Sequence, residues 1–134
     1  MVAFMTRILL GESDSSTREL LSIALKHAGL DVVSATSGLK LLEVARRFRP
    51  HLVLANVKLL GLGGCEVCRV VRADQLLKGT KVVLFGSLDE DDVQWRNAGA
   101  DLFLQQPIDV RRIAAVLTSL LGVKTPVIEL PAVG

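Results

Sequence analysis

The stretch His51-Leu52-Val53-Leu54-Ala55-Asn56 decides the fold. Its four consecutive apolar residues suit a short strand buried on both faces, not the single buried stripe of a surface helix. Pro50 ends the helical stretch before it, and the run stops on a polar amide. Outward from this point, runs of the same kind predict strands at 7–10, 31–35, 52–55, 81–85 and 101–104. Amphipathic stretches between them predict helices at 15–28, 38–48, 64–75, 89–97 and 109–121. Such alternation predicts an α/β domain with a parallel sheet covered on both faces. The first, third and fourth strands, apolar on both sides, belong at its centre. Chemistry in such sheets gathers at the carboxyl ends of the strands, where Asn56 stands. An amide there is a poor nucleophile, a poor base and a weak metal ligand.

Local signals place the helix ends. Ser16-Thr17-Arg18-Glu19 reads as a capping box, and Gly29 closes the first helix, whose apolar face is Leu20, Leu21, Ala24, Leu25 and Ala28. Ser37 caps the second helix. The last starts after Pro107 with Asp109 as its cap and buries Val110, Ile113, Leu117 and Leu120.

The chain has 134 residues, half of them hydrophobic and 22% charged, which suits one globular domain. We expect residues 1–5 to be an extension, 6–121 the domain and 122–134 an apolar tail around Pro126 and Pro131. A net charge of +2 is too small for a nucleic-acid footprint, and no apolar run reaches the roughly 18 residues of a membrane span. Two cysteines and no export signal point to a reducing cytoplasm.

Other motifs carry less. Gly61-Leu62-Gly63-Gly64 lacks both the dinucleotide and the phosphate-loop patterns and reads as a turn into the third helix. Cys65 and Cys68 have redox spacing but read as packing residues, without a second pair to complete a zinc site. His27 and His51 have no obvious catalytic partner, and Arg46, Arg47 and Arg49 read as the solvated end of a helix. Trp95, the sole tryptophan, is either an exposed interface anchor or filler beneath a short helix.

The order of motifs resembles the receiver domains of two-component response regulators, over about residues 6–121. Ile8-Leu9-Leu10 with the polar cluster after it is similar to the family's first strand and acidic pair, and Pro50-His51-Leu52-Val53-Leu54 to the strand before its phosphoacceptor. Gly64-Cys65-Glu66-Val67-Cys68-Arg69, Ala98-Gly99-Ala100-Asp101 and Gln106-Pro107 are similar to its third-helix start, its Gly-Ala-Asp and its Lys-Pro. The resemblance implies a flavodoxin-like (βα)5 three-layer sandwich with strand order 2-1-3-4-5.

Family chemistry uses two acids and an acceptor aspartate around Mg²⁺, a Thr or Ser, and a Lys. The matching positions here are Glu12 and Ser13, Asn56, Gly86 and Gln106, with Ser87 one place beyond Gly86. Asn56 cannot form an acyl phosphate, and Gln106 supplies no positive charge to phosphoryl oxygens. One carboxylate at Glu12 leaves Mg²⁺ binding lost or very weak, so no cofactor is expected. The losses look concerted. Asn56 and Gln106 are expected to hydrogen-bond to each other or to Ser13.

Leu60 stands where the family usually has Pro. The stretch from Gly86 to Gly99 is short, trimming a helix that belongs to the family's partner-binding face. Phe103 matches the family's rotating aromatic and, without a phosphate, is expected to stay inward.

The expected function is a non-enzymatic pseudo-receiver that binds a signalling protein, a histidine kinase or an output protein, with a homodimer left open. Two alternatives stand beside it. One is a phosphoacceptor with displaced chemistry at Glu12 or Asp14 with Ser87; the other is a small-molecule sensor using the neutral pocket.

Overall fold

Five apolar runs become five parallel strands in the computed structural model, which describes residues 5–87 and 93–122. In chain order the elements are β1 (Arg7–Gly11), α1 (Ser15–His27), β2 (Asp31–Ala35), α2 (Gly38–Phe48), β3 (Leu52–Asn56) and α3 (Gly64–Ala73). They continue with β4 (Lys81–Gly86), α4 (Val93–Asn97), β5 (Leu102–Gln105) and α5 (Ile113–Leu121). The expected extension up to residue 4, the start of the fourth helix at 89–92 and the tail from 123 lie outside the described residues.

The sheet order is β2-β1-β3-β4-β5, as expected for the flavodoxin-like sandwich. After β2 the chain returns past β1 to lay down β3, which opens a crevice above the carboxyl ends of β1 and β3. The register pairs Gly11 with Ala55 and Asn56 with Phe85, so these strand ends lie level. Leu52, Val53, Leu54 and Ala55 are all buried because successive side chains point to opposite, equally covered faces. On one face Ile8, Leu10, Leu54 and Phe85 pack with Leu21 and Leu25 of α1 and with Ile113 and Leu117 of α5. On the other, Leu9, Val53 and Leu84 pack with Leu41 of α2 and with Val67 and Val71 of α3.

Three local expectations need correction. Helix α1 is capped by Asp14, not Ser16: its carboxylate accepts the Thr17 N–H at 2.9 Å and the Thr17 hydroxyl at 2.7 Å. These bonds hold the Asp14 carboxyl below its ordinary range. Leu20 is not part of the buried stripe. It is 59% exposed, because at about 100° per residue it is turned well away from its buried neighbour Leu21. Helix α5 begins at Ile113, since Asp109 closes a separate turn by accepting the Arg111 N–H at its side chain and the Arg112 N–H at its carbonyl. Val110 is consequently 38% exposed instead of buried.

At the opposite end of the sheet, His51 extends the β1–β3 pairing with its side chain. Its backbone N–H donates to the Arg7 carbonyl at 2.9 Å, and its Nδ1 accepts the Arg7 N–H at 2.9 Å. Nδ1 must therefore be unprotonated. Burial, with help from the Arg7 charge, holds His51 below its ordinary value of 6.5. A histidine with a lowered folded value supports the fold above 6.5 and loses that support as pH falls through the folded value. The melting temperature should drop between pH 7 and pH 5, and by less in His51→Asn, which keeps an acceptor without the titration. Equal slopes for the two proteins would remove His51 as the cause.

The arginine cluster is solvated, as expected. Arg46 pairs with Asp74 at 3.1 Å, Arg47 with Glu43 at 3.7 Å, and Arg49 ends α2 at φ 52°.

Candidate functional site

The carboxyl ends of β1 and β3 bring Glu12 and Asn56 into contact. Glu12 follows the last residue of β1 and is only 3% exposed. A buried carboxylate needs donors. The Ser13 N–H supplies one at 2.8 Å, and Asn56 Nδ2 lies 3.1 Å and 3.2 Å from the two carboxylate oxygens. Asn56 Oδ1 accepts the Lys58 N–H at 2.9 Å, which fixes which way the amide points. Asn56 thus gives the carboxylate its donor at a place where a second carboxylate would repel it.

The expected bonds from Asn56 to Gln106 or Ser13 do not form. Glu12 is the stronger acceptor, being charged and buried, and it takes the amide. Gln106 follows β5, its N–H bonded to the Gly86 carbonyl at 2.9 Å. With Thr17, Leu20 and Pro107 it lines a small cavity of about 180 Å³ on the α1 side.

Ser13 ties loops together. Its hydroxyl donates to the Thr36 carbonyl at 2.8 Å and accepts the Leu60 N–H at 3.0 Å, joining the loops after β1, β2 and β3. A proline at 60 would have no N–H to give, so Ser13 and Leu60 make a matched pair. The Leu60 carbonyl accepts the Gly38 N–H at 2.9 Å and completes the tie. The glycine-rich turn serves packing: a Cβ at Gly64 would stand 2.7 Å from the Asn56 carbonyl oxygen, so the start of α3 can approach β3 only without one.

Gly86 ends β4 beside Val57. A Cβ at Gly86 would lie 2.5 Å from Val57 Cγ2, which means the valine already fills the space where a hydroxyl-bearing side chain would start. Ser87 is exposed just beyond it. Val57, Thr36 and the Lys58 N–H are parts of this site that sequence reading missed. Only adjacency to Asn56 could have flagged the first and last.

The donor set does not suit Mg²⁺, which prefers several charged oxygens in octahedral array. The Glu12 oxygens are engaged by N–H donors, the Ser13 hydroxyl by two backbone groups, and the Asp14 carboxylate by Thr17. Among the described residues no group of three His, Cys, Asp or Glu side chains could hold a metal ion.

Trp95 falls between its two expected roles. It is half-buried against the core with its ring centroid 5.9 Å from that of Phe103, also half-buried, and the Arg96 guanidinium lies 5.1 Å above it. Burial raises both thiols, that of Cys68 to about 11, so neither is an ionised nucleophile near neutral pH.

With this geometry in place, residues 8–118 match the response regulator receiver domain. The chain belongs to the response regulator receiver family. Receiver relatives include the DNA-binding response regulator MtrA of Mycobacterium tuberculosis, 34% identical over 81% of this chain and 47% of its own length. Another is the transcriptional regulator RpaA of Synechocystis, 33% identical over 87% of this chain and 49% of its own length. The chain spans about half the length of the curated relatives it matches.

Among solved receiver structures, the chemotaxis response regulator CheY4 of Vibrio cholerae superposes with a TM-score of 0.82 at 22% identity, covering 87% of this chain and 99% of that one. The receiver domain of sensor histidine kinase PA1611 from Pseudomonas aeruginosa, with magnesium coordinated in its active site cleft, superposes at 0.82 with 21% identity, covering 90% and 100%. At such identities the likeness carries the receiver fold alone. No helix among the described residues is long and apolar enough to cross a membrane.

Proposed function

We propose that this receiver domain works in two-component or phosphorelay signalling as a phosphorylation-independent, non-enzymatic protein-interaction module in the cytoplasm. The observation that carries the reading is the Asn56 amide donating to the buried Glu12 carboxylate. Asn56 stands in place of the acceptor aspartate, and its amide supplies the buried Glu12 carboxylate with a hydrogen-bond donor. A neutral amide offers no carboxylate nucleophile. Gln106 brings no positive charge to transferring oxygens, and Val57 fills the space beside Gly86. The pocket holds one arrangement through its own hydrogen bonds, so the domain signals by shape to a histidine kinase or an output protein. Displaced chemistry at Asp14 has less support, because that carboxylate is engaged as the α1 cap.

The test incubates the full chain with Mg²⁺ and acetyl phosphate, or with beryllium fluoride, and follows intact mass and Trp95 fluorescence. The expected result is an unchanged mass and no saturable response. A phosphoryl adduct, or saturation with Mg²⁺, would overturn the proposal.

A further inference from the structure

Helix α1 turns one face to the core and leaves the opposite face unusually apolar. Leu21 and Leu25 are buried, while Leu20 and Ile23 are each 59% exposed. On the helical wheel Ile23 sits at the middle of the outward face, with Leu20 and His27 along one flank and Glu19 and Lys26 along the other. All five are exposed. Neither Glu19 nor Lys26 has an ion-pair partner among the described residues, although other surface charges, such as Lys40 with Glu43, do. The only large exposed apolar side chains of α1 thus lie between an unpaired anion near its amino end and an unpaired cation near its carboxyl end.

We propose that this face of α1 is the interface of a homodimer, two copies packing α1 against α1 antiparallel about a two-fold axis near Ile23. A two-fold interface must be complementary to itself, and this stripe is. The axis lies across the helices, so it sets the Glu19–Lys26 flank of one copy against the same flank of the other, with the direction reversed. Glu19 then meets Lys26 of the second copy, and Lys26 meets its Glu19. Ile23 and Leu20 are covered between them, removing from water the two largest apolar exposures on the helix. A parallel arrangement, with the axis along the helices, would set that flank against the Leu20–His27 flank of the other copy and leave Glu19 and Lys26 without partners. The surface is separate from the Glu12–Asn56 pocket, so the dimer stands or falls independently of phosphate chemistry.

Sedimentation velocity and equilibrium on the full chain, at low ionic strength, test the interface. The parent should dimerise in the micromolar range, and Ile23→Glu should be a monomer with an unchanged far-UV spectrum. Glu19→Lys alone and Lys26→Glu alone should each weaken dimerisation roughly tenfold, because two attractive contacts become repulsive. The double variant Glu19→Lys/Lys26→Glu should regain the parent affinity, and a mixture of the two single variants should form heterodimers in preference to either homodimer. A parent that stays monomeric at the highest soluble concentration would overturn the proposal. So would a dimer indifferent to Ile23→Glu, or a double variant as weak as the singles.

Discussion

Asn56→Asp should destabilise the domain by about 3 kcal/mol at pH 7 in metal-free buffer, a fall in melting temperature of roughly 10 °C. The substitution removes the Nδ2 donor lying 3.1 Å and 3.2 Å from the Glu12 oxygens and puts a carboxylate oxygen in its place. Two carboxylates at that separation, one of them buried, cannot both stay ionised cheaply, and the pair takes up a proton above the ordinary carboxylate range. A raised folded value costs stability at pH values above it and returns that stability as pH falls through it. The deficit of the variant should therefore shrink between pH 7 and pH 5. Millimolar Mg²⁺ should recover part of the loss in the variant and leave the parent untouched. Thermal melts at several pH values, with and without Mg²⁺, read all of this. A variant as stable as the parent in metal-free buffer would show that the Asn56 amide does not support Glu12.

The second large effect concerns the seal at the end of β4. Serine is a better strand residue than glycine, so Gly86→Ser should stabilise a strand end with room to spare. Here the added Cβ would meet Val57 Cγ2 at 2.5 Å, and the valine must move. The expected result is a loss of about 2 kcal/mol, the usual cost of overpacking. Val57→Ala opens the space, so the double variant should be more stable than the sum of the single losses predicts, by at least about 1 kcal/mol. Denaturant curves on the four proteins give the coupling directly. Additive losses would mean that Val57 does not occupy the place of a side chain at 86.

The sheet was legible because its information is local. Four apolar residues ending at Asn56, and similar runs elsewhere, carry the period and length of buried strands, and the α2 boundaries follow from Ser37 and Pro50. The helix starts were harder. Several neighbouring residues can cap one helix, and Asp14 does so because its carboxylate reaches the Thr17 N–H and hydroxyl three residues on, which starts the helix at Ser15 and puts Ser16 inside it. At the other end, Asp109 accepts from Arg111 and Arg112 in a turn of its own, which delays α5 to Ile113 and turns Val110 outward. The polar residues of the site were legible as a set, but their partners were not. Asn56 was expected to bond to Gln106 or Ser13 and bonds to Glu12 instead.

The sequence by itself determined the strand runs, the order of the elements and the residues at the strand ends, because periodicity and chain order specify these. It also determined that only Glu12 carries charge among the family-matched pocket positions 12, 13, 56, 86 and 106. The tertiary structure decided what those residues do to one another. Glu12 and Asn56 are 44 positions apart, and Ser13 and Leu60 are 47 apart. Their bonds exist only because β1 and β3 lie side by side and end level. Val57 fills the space beside Gly86 because β3 and β4 pair in the same way, and no local pattern can bring such strand ends and loops together.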